Sequence, residues 1–503
     1  MKNILVLGAG KSATSLIEYL TKEMNGPEWR LTVADGNLAL AQSKIIPANS
    51  PHAHAVQLEA ENDTARGNLI AEADIVISLL PPTLHYLVAR DCLRLGKNLL
   101  TASYIDDKIS QLSADIGNKG LLFLAEMGLD PGIDHMSAMQ LIHRLKARGA
   151  IIKSFQSHCG GLIAPESDDN PWHYKISWNP RNVVMAGKGG ATFKKGGDIQ
   201  HIRYEELFNP NRVIQIPGLN YFSWYPNRDS LSYIQLYGLE EAETFIRTTL
   251  RYPEFCFGWK NIIELKLTDE TAQYDTDGMT LQLFFQQHFG KYGFSEWIEK
   301  QLTARFTQTK QLLEKLQQLL EAEQEADENE RKELQDFMMV DDHGSLMDIN
   351  LDDVKTQAAA TVAGQMHEAN LSMKQLVYLG MDDDKTYINK GVCSAADILQ
   401  FALEQKLLLR PEDKDLVVML HEIEYEQDGM LQKTDSCLIV KGEDSRHTAM
   451  AKTVGLPLGI AAKLILQGKI NATGLQIPVI PDIYEPVLNE LELNGIGFKS
   501  FEV

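Results

Sequence analysis

Short apolar runs alternate with amphipathic segments through the N-terminal quarter of the chain. The runs are typical of strands buried in a parallel sheet and cover residues 4–7, 31–33, 55–58, 74–80, 98–101 and 120–126. Between them, apolar residues recur with helical spacing, as at Leu16, Ile17 and Leu20, and predict helices here and over 85–95 and 106–117. Strands and helices that alternate in this way predict a right-handed, doubly wound parallel sheet.

The pattern changes after Gly149. Strand signals cover 151–157, 416–420 and 436–440, helical periodicity covers 296–337, and an apolar helix is predicted over 448–466. Two polar, turn-rich loops, 164–175 and 225–230, are of the kind that often carries function, and we predict a helix over 240–247 after the second. The fold class should therefore be α/β, with an N-terminal Rossmann doubly wound parallel sheet, an α+β substrate domain and a helical region.

Domain boundaries are expected where the pattern changes. Residues 1–127 should form a dinucleotide-binding Rossmann domain, and a C-terminal segment near 445–503 should complete it. Residues 128–444 should form the substrate-binding α+β domain, with a helical, acidic insertion near 296–390. The helix predicted over 448–466 would then pack back onto the first domain.

The first predicted strand runs into a glycine-rich turn. Gly8 would make the tight turn, Gly10 would let backbone approach a pyrophosphate, and Ala13 would let the next helix pack on the strand. That helix also offers free N–H groups to phosphates. A purely structural turn is the alternative, but the strand before the motif and the helix after it favour a dinucleotide site. The residues expected to contact the cofactor here are Gly8, Gly10, Lys11, Ser12 and Ala13.

Asp35 ends the second predicted strand. A carboxylate at this point can accept hydrogen bonds from an adenosine ribose. The alternative is a solvated turn acid before Gly36. Because a carboxylate would repel a 2′-phosphate, we expect NAD as the cofactor and NADP as the second choice.

Composition and charge narrow the classes of partner. The 503 residues carry a net charge of −21, and ten acidic residues against two basic ones lie between Glu321 and Asp342, typical of a solvated helix face or hinge. The acidic excess argues against nucleic acid and anionic membranes as partners. No signal-peptide pattern or membrane-length apolar run occurs, so we expect a cytoplasmic protein. The five cysteines lack CxxC or paired-histidine spacing, so we expect neither disulfides nor a metal site.

Ligands of a doubly wound sheet bind at the carboxyl ends of its strands. One such end holds Ser78, Leu79 and Leu80, which we expect to contact the cofactor. Two others are the segments 101–104 and 126–135. In the second, Asp130 and Asp134 could simply cap the following helix, but the strand-end position favours a functional role for Asp130.

Several longer stretches identify a family. They are ISLLP at 77–81, TASYI at 101–105, GLDPGIDH at 128–135, CGGLIAPE at 159–166, NP at 170–171, YKISW at 174–178, YPNRDS at 225–230, TLRY at 249–252 and DLVVM at 415–419. In these stretches, which span nearly the whole chain, the sequence resembles saccharopine dehydrogenases of the glutamate-forming type. The resemblance implies a reversible, nicotinamide-dependent oxidation of saccharopine, a secondary amine with several carboxylates, to glutamate and 2-aminoadipate 6-semialdehyde in lysine metabolism.

The resemblance also implies the roles of individual residues. Substrate contacts carry over to Ser103, Tyr104, Arg228, Thr249, Leu250 and Arg251. Cofactor contacts carry over to Leu129, Asp130, Pro131 and Ser177. The two arginines would clamp carboxylates, although surface arginines that pin a loop are the alternative.

Proton transfer is the step for which the residues say least. The titratable candidates are Asp130, Tyr104 and Lys175, with His158 and Cys159 on a neighbouring strand end. We hypothesise that Asp130 orients the amine or a water molecule.

Some positions depart from the family pattern. His158 stands where the family usually has tyrosine, and Trp172-His173 replaces smaller residues, so the shape of the pocket can differ. Two other functions stay open: a carboxynorspermidine-type dehydrogenase of polyamine synthesis, which needs fewer carboxylate clamps, and a noncatalytic NAD-binding sensor. The partner we expect is a small molecule with several carboxylates, and a homodimer is the assembly to test.

Overall fold

A computed structural model describes residues 2–23, 28–48, 50–300, 368 and 370–502, together with the backbone of two strands at 337–340 and 346–349. The chain divides into two compact units. Unit 1 contains residues 1–169, 173–260 and 407–503, and unit 2 contains residues 170–172 and 261–406. Most of the acidic segment 321–342 and most of the helix predicted over 296–337 lie outside the described residues.

The helices are α1 (Ala13–Glu23), α2 (Leu38–Ile45), α3 (Asp63–Glu72), α4 (Pro82–Leu95), α5 (Asp107–Ser110), α6 (Ser113–Asn118), α7 (Ile133–Lys146), α8 (Pro180–Val184), α9 (Tyr204–Leu207), α10 (Ser232–Leu236), α11 (Pro253–Glu264), α12 (Leu281–Lys291), α13 (Ala395–Lys406), α14 (Ala449–Leu466) and α15 (Pro481–Leu493). The strands are β1 (Lys2–Leu7), β2 (Trp29–Asp35), β3 (Ala53–Gln57), β4 (Ile75–Ser78), β5 (Asn98–Thr101), β6 (Leu122–Leu124), β7 (Ile151–Ile163), β8 (Ala191–Lys195), β9 (Asp198–Ile202), β10 (Val213–Gln215), β11 (Tyr221–Pro226), β12 (Thr244–Arg251), β13 (Ala272–Asp275), β14 (Phe337–Val340), β15 (Leu346–Ile349), β16 (Val392–Ser394), β17 (Asp415–Gln427), β18 (Met430–Lys441), β19 (Gly474–Gln476) and β20 (Lys499–Glu502).

The first sheet of unit 1 is parallel throughout, in the strand order β19-β6-β5-β4-β1-β2-β3. Its centre is apolar on both faces because helices cover both: Ile4 pairs with Leu31 on one side and with Ile75 on the other, and all three are buried. The order of β1 to β6 is that of a Rossmann sheet, and this confirms the predicted α/β class. The added edge strand, β19, comes from late in the chain.

The second sheet of unit 1 is mixed, with β7 and β17 at its centre. β12 pairs with β7 in parallel, and β17 pairs with β7 in antiparallel. The predicted helix over 240–247 is wrong, because Thr244–Arg251 is the strand β12. Its β-branched residues, such as Ile246 and Thr248, fit a strand that is buried on both faces, and both of these residues are buried.

Helix α14 packs against α1, the helix that follows the glycine-rich turn. A Cβ atom at Gly455 would lie 2.8 Å from the Ser12 carbonyl oxygen, so glycine permits the close approach of the two helices. Among the described residues, α14 is the helix whose length and apolar composition would suit a membrane crossing, and 72% of it is buried in the protein. Such burial is typical of a helix in the core of a globular protein.

Unit 2 has its own small core. Strands β13 and β16 pair in antiparallel, and β14 pairs with β15 in a separate hairpin. The ring of His288 is buried. Its Nε2–H donates to the Leu265 carbonyl at 2.8 Å, and its Nδ1 atom lies 2.7 Å from the Tyr274 hydroxyl. The residues expected to bind ligand lie in unit 1.

Candidate active site

The glycine-rich turn between β1 and α1 has the geometry that a dinucleotide requires. Gly8 has a φ of 100°, and a Cβ there would lie 2.9 Å from the Leu79 carbonyl oxygen, so a side chain is excluded on two grounds. A Cβ at Gly10, in contrast, would meet nothing within 4 Å. Open space at Gly10 next to the first turn of α1 is what a pyrophosphate needs, so these residues fit the cofactor.

Asp35 lies at the end of β2, beside this turn. Its Oδ2 atom accepts a hydrogen bond from the Ala9 N–H at 2.8 Å, and its Oδ1 atom accepts one from the Asn37 N–H at 2.8 Å. A Cβ at Gly36 would lie 3.5 Å from a carboxylate oxygen of Glu59, so a second acid is close by. No lysine or arginine occurs between Asp35 and Lys44.

A histidine joins two of the predicted site residues. His85, on α4, is 3% exposed, and its Nδ1 atom is 2.9 Å from Ser78 Oγ while its Nε2 atom is 2.8 Å from Ser103 Oγ. Burial lowers the pKa of His85 to about 4. The sequence places His85 in the helix predicted over 85–95 and carries no local signal of these two contacts.

The central feature of the site is a buried arginine between two aspartates. The Nη2 atom of Arg247 donates to both: it lies 2.7 Å from Asp130 Oδ1 and 2.7 Å from Asp134 Oδ2. The Tyr104 hydroxyl donates to the same Asp130 oxygen at 3.3 Å, and the guanidinium lies 4.3 Å from the centre of the Tyr233 ring. The structure thus brings two of the three predicted proton-transfer residues, Asp130 and Tyr104, together.

The two aspartates differ in proton affinity. Burial raises the pKa of Asp130 to about 6, although the nearby Arg247 opposes the change. Burial also opposes ionisation of Asp134, but His135, Arg247 and the Gly132 N–H, which donates to Asp134 Oδ1 at 2.6 Å, together lower its pKa. Asp134 is therefore a fixed negative charge, and Asp130 is the carboxylate whose proton can exchange near neutral pH.

Behind the two aspartates, the buried carboxylate of Glu126 is held by three donors. Glu126 Oε2 is 2.8 Å from His135 Nε2 and accepts from the Tyr233 hydroxyl at 3.0 Å, and its Oε1 accepts from the Ile105 N–H at 3.4 Å. The other ring nitrogen of His135 is 2.6 Å from the Tyr237 hydroxyl. These contacts fix the start of α7, from which Asp134 projects.

Strand β12 carries a row of polar side chains on one face. Arg247, Thr249 and Arg251 alternate with Thr248 and Leu250, because side chains of a strand point to opposite faces in turn. The Arg251 guanidinium lies 5.3 Å from the Tyr174 ring centre and 5.5 Å from that of Phe255.

Two nitrogens of the Arg251 guanidinium differ in their hydrogen bonds. The Nη1 atom donates to the Leu250 carbonyl at 2.7 Å and to the Gly161 carbonyl at 3.4 Å, while the buried Nε has no partner among the described residues. The Leu250 side chain itself packs in the apolar core on the other face of the sheet. Leu250 can therefore offer only its backbone to a substrate.

Other predicted site residues are distributed around this centre. Arg228 is exposed and lies over the Tyr104 ring at 5.2 Å, with a φ of 49°. Leu129 is buried, and the peptide bond between Asp130 and Pro131 is cis.

Among the described residues, the carboxylates that Lys175 contacts are Asp413 and Asp169 rather than Asp130. Its buried ammonium is 2.7 Å from Asp413 Oδ2 and 2.9 Å from Asp169 Oδ1, and it fastens the loop before Ser177 to the segment before β17. Although burial opposes its charge, the two carboxylates raise the pKa of Lys175. Next along the loop, the Ile176 carbonyl accepts a hydrogen bond from Lys11 Nζ of the glycine-rich turn at 3.2 Å.

His158 and Cys159 lie on opposite faces of β7. His158 is hydrogen-bonded to Thr248 Oγ1 at 2.7 Å and to Glu422 at 3.2 Å, on the face away from the arginines of β12. Cys159 pairs with Thr249 on the arginine face, and burial raises its thiol pKa well above the ordinary value. Within the described part of the chain, no group of three or more His, Cys, Asp or Glu side chains is placed to hold a metal ion.

Comparisons with known proteins show which family the chain is similar to. Residues 4–124 match the model of the saccharopine dehydrogenase NADP binding domain, and residues 128–363 and 341–496 match that of the saccharopine dehydrogenase C-terminal domain. Saccharopine dehydrogenase [NADP(+), L-glutamate-forming] of Saccharomyces cerevisiae is 31% identical, over 99% of this chain and 99% of that protein. The α-aminoadipic semialdehyde synthase of Arabidopsis thaliana is also 31% identical, over 98% of this chain but only 44% of its own length.

A solved structure extends the match to three dimensions. The apo saccharopine dehydrogenase (L-Glu forming) of S. cerevisiae superposes with a TM-score of 0.75 at 29% identity and covers all of both chains. The family models together match most of this chain, from residue 4 to residue 496. The chain therefore belongs to the saccharopine dehydrogenase family.

Proposed function

We propose that this protein oxidises the secondary amine of saccharopine to an imine, whose hydrolysis gives glutamate and 2-aminoadipate 6-semialdehyde. The observation that carries the proposal is Asp130, a buried carboxylate held by Arg247 and Tyr104 at the same edge of the parallel sheet as the glycine-rich turn. Support also comes from the yeast relative, which is named for this activity and matches over its whole length.

Asp130 is suited to take the proton of the substrate nitrogen. Its Oδ1 atom accepts the hydrogen bonds from Arg247 and Tyr104, which leaves Oδ2 for the amine or for a water molecule. With a pKa of about 6, the side chain is a carboxylate at mildly alkaline pH and a weak enough acid to return the proton. A nicotinamide, when bound, accepts the hydride from the substrate carbon.

The carboxylates of the substrate require fixed donors. Arg251 is buried between two aromatic rings with its Nε unpaired among the described residues, and a carboxylate would satisfy this donor. Arg228 lies exposed above Tyr104 and can close on a second carboxylate. A substrate with several carboxylates matches this supply of cations better than a diamine does.

The test is reduction of the cofactor by purified protein, followed by its near-ultraviolet absorbance, with saccharopine at mildly alkaline pH. We expect turnover with saccharopine and none with carboxynorspermidine. Turnover with carboxynorspermidine alone would assign the protein to polyamine synthesis. Cofactor binding without turnover of either amine would leave only a sensor.

We further propose that the cofactor is NAD rather than NADP, although the matching family model is that of an NADP binding domain. The support is the charge at the end of β2: the Asp35 carboxylate lies beside the glycine-rich turn with Glu59 close to Gly36, both would repel a 2′-phosphate, and no lysine or arginine occurs between Asp35 and Lys44. Replacement of Asp35 by serine should raise the KM for NAD and lower the KM for NADP. Each change should be about tenfold, which corresponds to about 1.4 kcal/mol of binding free energy.

Asp74→Ser is the matched control. Asp74 accepts from the Asn3 N–H at 2.6 Å at the opposite edge of the same sheet, so its loss should leave the ratio of the two KM values unchanged. A wild-type enzyme that prefers NADP would overturn the proposed role of Asp35.

A further inference from the structure

His85 links a fully buried serine to a serine at the predicted substrate site. Ser78 is 1% exposed, and His85 Nδ1 is the partner of its hydroxyl among the residues the structure describes. Ser103 is partly exposed, at the carboxyl end of β5, and its hydroxyl lies 2.8 Å from His85 Nε2. Thr101 Oγ1 is also near Nε2, at 3.3 Å, and accepts from the Ser103 N–H at 3.2 Å.

The burial of Ser78 decides which ring nitrogen carries the proton. A buried hydroxyl whose hydrogen has no acceptor is costly, whereas an unused lone pair costs less. Ser78 therefore donates its hydrogen to Nδ1, and Nδ1 must be unprotonated. The ring is neutral at physiological pH, since burial lowers the pKa of His85 to about 4, and its single proton is then on Nε2.

The Nε2–H group in turn fixes the direction of the next hydrogen bond. It donates to Ser103 Oγ and, at the longer distance, to Thr101 Oγ1. Ser103 accepts from the histidine and so keeps its own hydrogen free to point elsewhere. The Ser103 hydroxyl can then donate its hydrogen to a ligand. One of its two lone pairs is occupied by the histidine N–H and cannot accept from the ligand.

We propose that His85 is a specificity-determining positioning residue: held by Ser78 as the Nε2–H tautomer, it makes Ser103 a hydrogen-bond donor that selects a carboxylate of the substrate over an ammonium group. The inference rests on the proposed function, since Ser103 is assigned to the substrate by family resemblance. A carboxylate has only acceptors and an ammonium only donors, so the polarity of one hydroxyl discriminates between them.

The kinetic test compares two replacements of His85. In His85→Gln the side-chain amide can reach the place of Nε2 and still donate to Ser103, whereas His85→Leu keeps bulk but has no donor. The KM for saccharopine should rise about tenfold in the leucine variant, the loss expected for one such hydrogen bond of about 1.4 kcal/mol, and by less than about threefold in the glutamine variant. Equal losses of saccharopine affinity in the two variants would overturn the proposal.

A second measurement reads the tautomer directly and needs no turnover. Nitrogen-15 spectra of histidine-labelled protein distinguish a ring protonated on Nε2 from one protonated on Nδ1, and His85→Gln identifies the signal by its absence. We expect the Nε2–H form in the wild type and a mixture of forms in Ser78→Ala. The Nδ1–H form in the wild type would refute the inference even if the enzyme oxidises saccharopine. The Nε2–H form in an enzyme inactive on saccharopine would instead count against the proposed function alone.

Discussion

At the scale of single residues, the ionisation of Asp130 should set the acid limb of the pH profile. Burial raises its pKa to about 6, and the carboxylate is the form that accepts a proton. We expect kcat/KM to fall as the pH drops through 6 and to level above it until another group titrates. Asp130→Asn should remove this limb and lower kcat by about a hundredfold or more, since general base catalysis typically contributes about 10²–10⁴-fold.

Asp428→Asn is a suitable control for this change. Asp428 is exposed in the turn between β17 and β18 with a φ of 53°, a conformation that asparagine tolerates well. Its replacement should leave both kcat and the pH profile as they are. A change of less than threefold in Asp130→Asn would discard the proton-transfer role of Asp130.

Lys175 should act on stability rather than on chemistry. Its ammonium is buried between Asp413 and Asp169, so Lys175→Met would leave the buried carboxylate of Asp413 without its cation. We expect the free energy of unfolding to fall by about 3–5 kcal/mol, as for a broken buried ion pair, while kcat changes little. Denaturant unfolding and steady-state rates measure the two separately. Lys175→Arg should restore most of the stability, and a large loss of kcat at unchanged stability would make Lys175 catalytic after all.

The site residues found from the sequence were those at recognisable strand ends. Asp130 and Tyr104 follow apolar runs, and the structure joins their side chains. Arg247 was missed because its segment was assigned to a helix, although the spacing of Arg247 and Arg251 around Thr249 also fits one face of a strand. His85 has no local signal, since its partners Ser78 and Ser103 are adjacent only after β4 and β5 have paired.

At the scale of elements, the contact of α1 with α14 should tolerate no added methyl group. A Cβ at Gly455 would lie 2.8 Å from Ser12 O, a backbone atom that cannot move without disturbing the glycine-rich turn. We expect Gly455→Ala to lower the free energy of unfolding by about 1–3 kcal/mol, the usual cost of overpacking. Cofactor affinity should fall as well, which fluorescence titration with the reduced dinucleotide would show.

The matched substitution is Gly117→Ala in α6. A Cβ at Gly117 would meet nothing within 4 Å, so alanine should stabilise this helix by up to about 1 kcal/mol. If Gly455→Ala and Gly117→Ala changed the free energy of unfolding in the same direction, the contact between α1 and α14 would not be as close as the structure has it.

Elements with strong patterns could be predicted, and weakly patterned ones could not. β4 and β5 occupy the apolar runs that predicted them, and Thr448 caps α14 where the helix was expected to begin. The single helix predicted over 106–117 is instead the two short helices α5 and α6. The prediction for β12 was wrong because the spacing of its charged residues also fits an amphipathic helix. Only the pairing with β7 shows that its side chains alternate with the two-residue period of a strand.

At the scale of the whole molecule, one core cluster joins β1, β7 and α15 within unit 1. Leu491 of α15 is fully buried in it, so Leu491→Ala should lower the free energy of unfolding by about 2–5 kcal/mol. Leu493, two residues on, is 87% exposed, and its replacement by alanine should change stability by less than about 0.5 kcal/mol. Thermal unfolding of the pair tests this. Equal effects of the two substitutions would mean that α15 does not pack as described.

The position of β19 has a consequence for synthesis of the chain. The Rossmann sheet begins at residue 2, but its outer strand beside β6 is residues 474–476, and the helix that covers α1 is residues 449–466. A ribosome that has completed the glycine-rich turn has therefore made neither. Until these residues have been synthesised, the nascent sheet presents a bare edge and an uncovered apolar helix face, both of which favour aggregation. The cofactor domain of this protein therefore cannot be completed before residue 476 has been added to the chain.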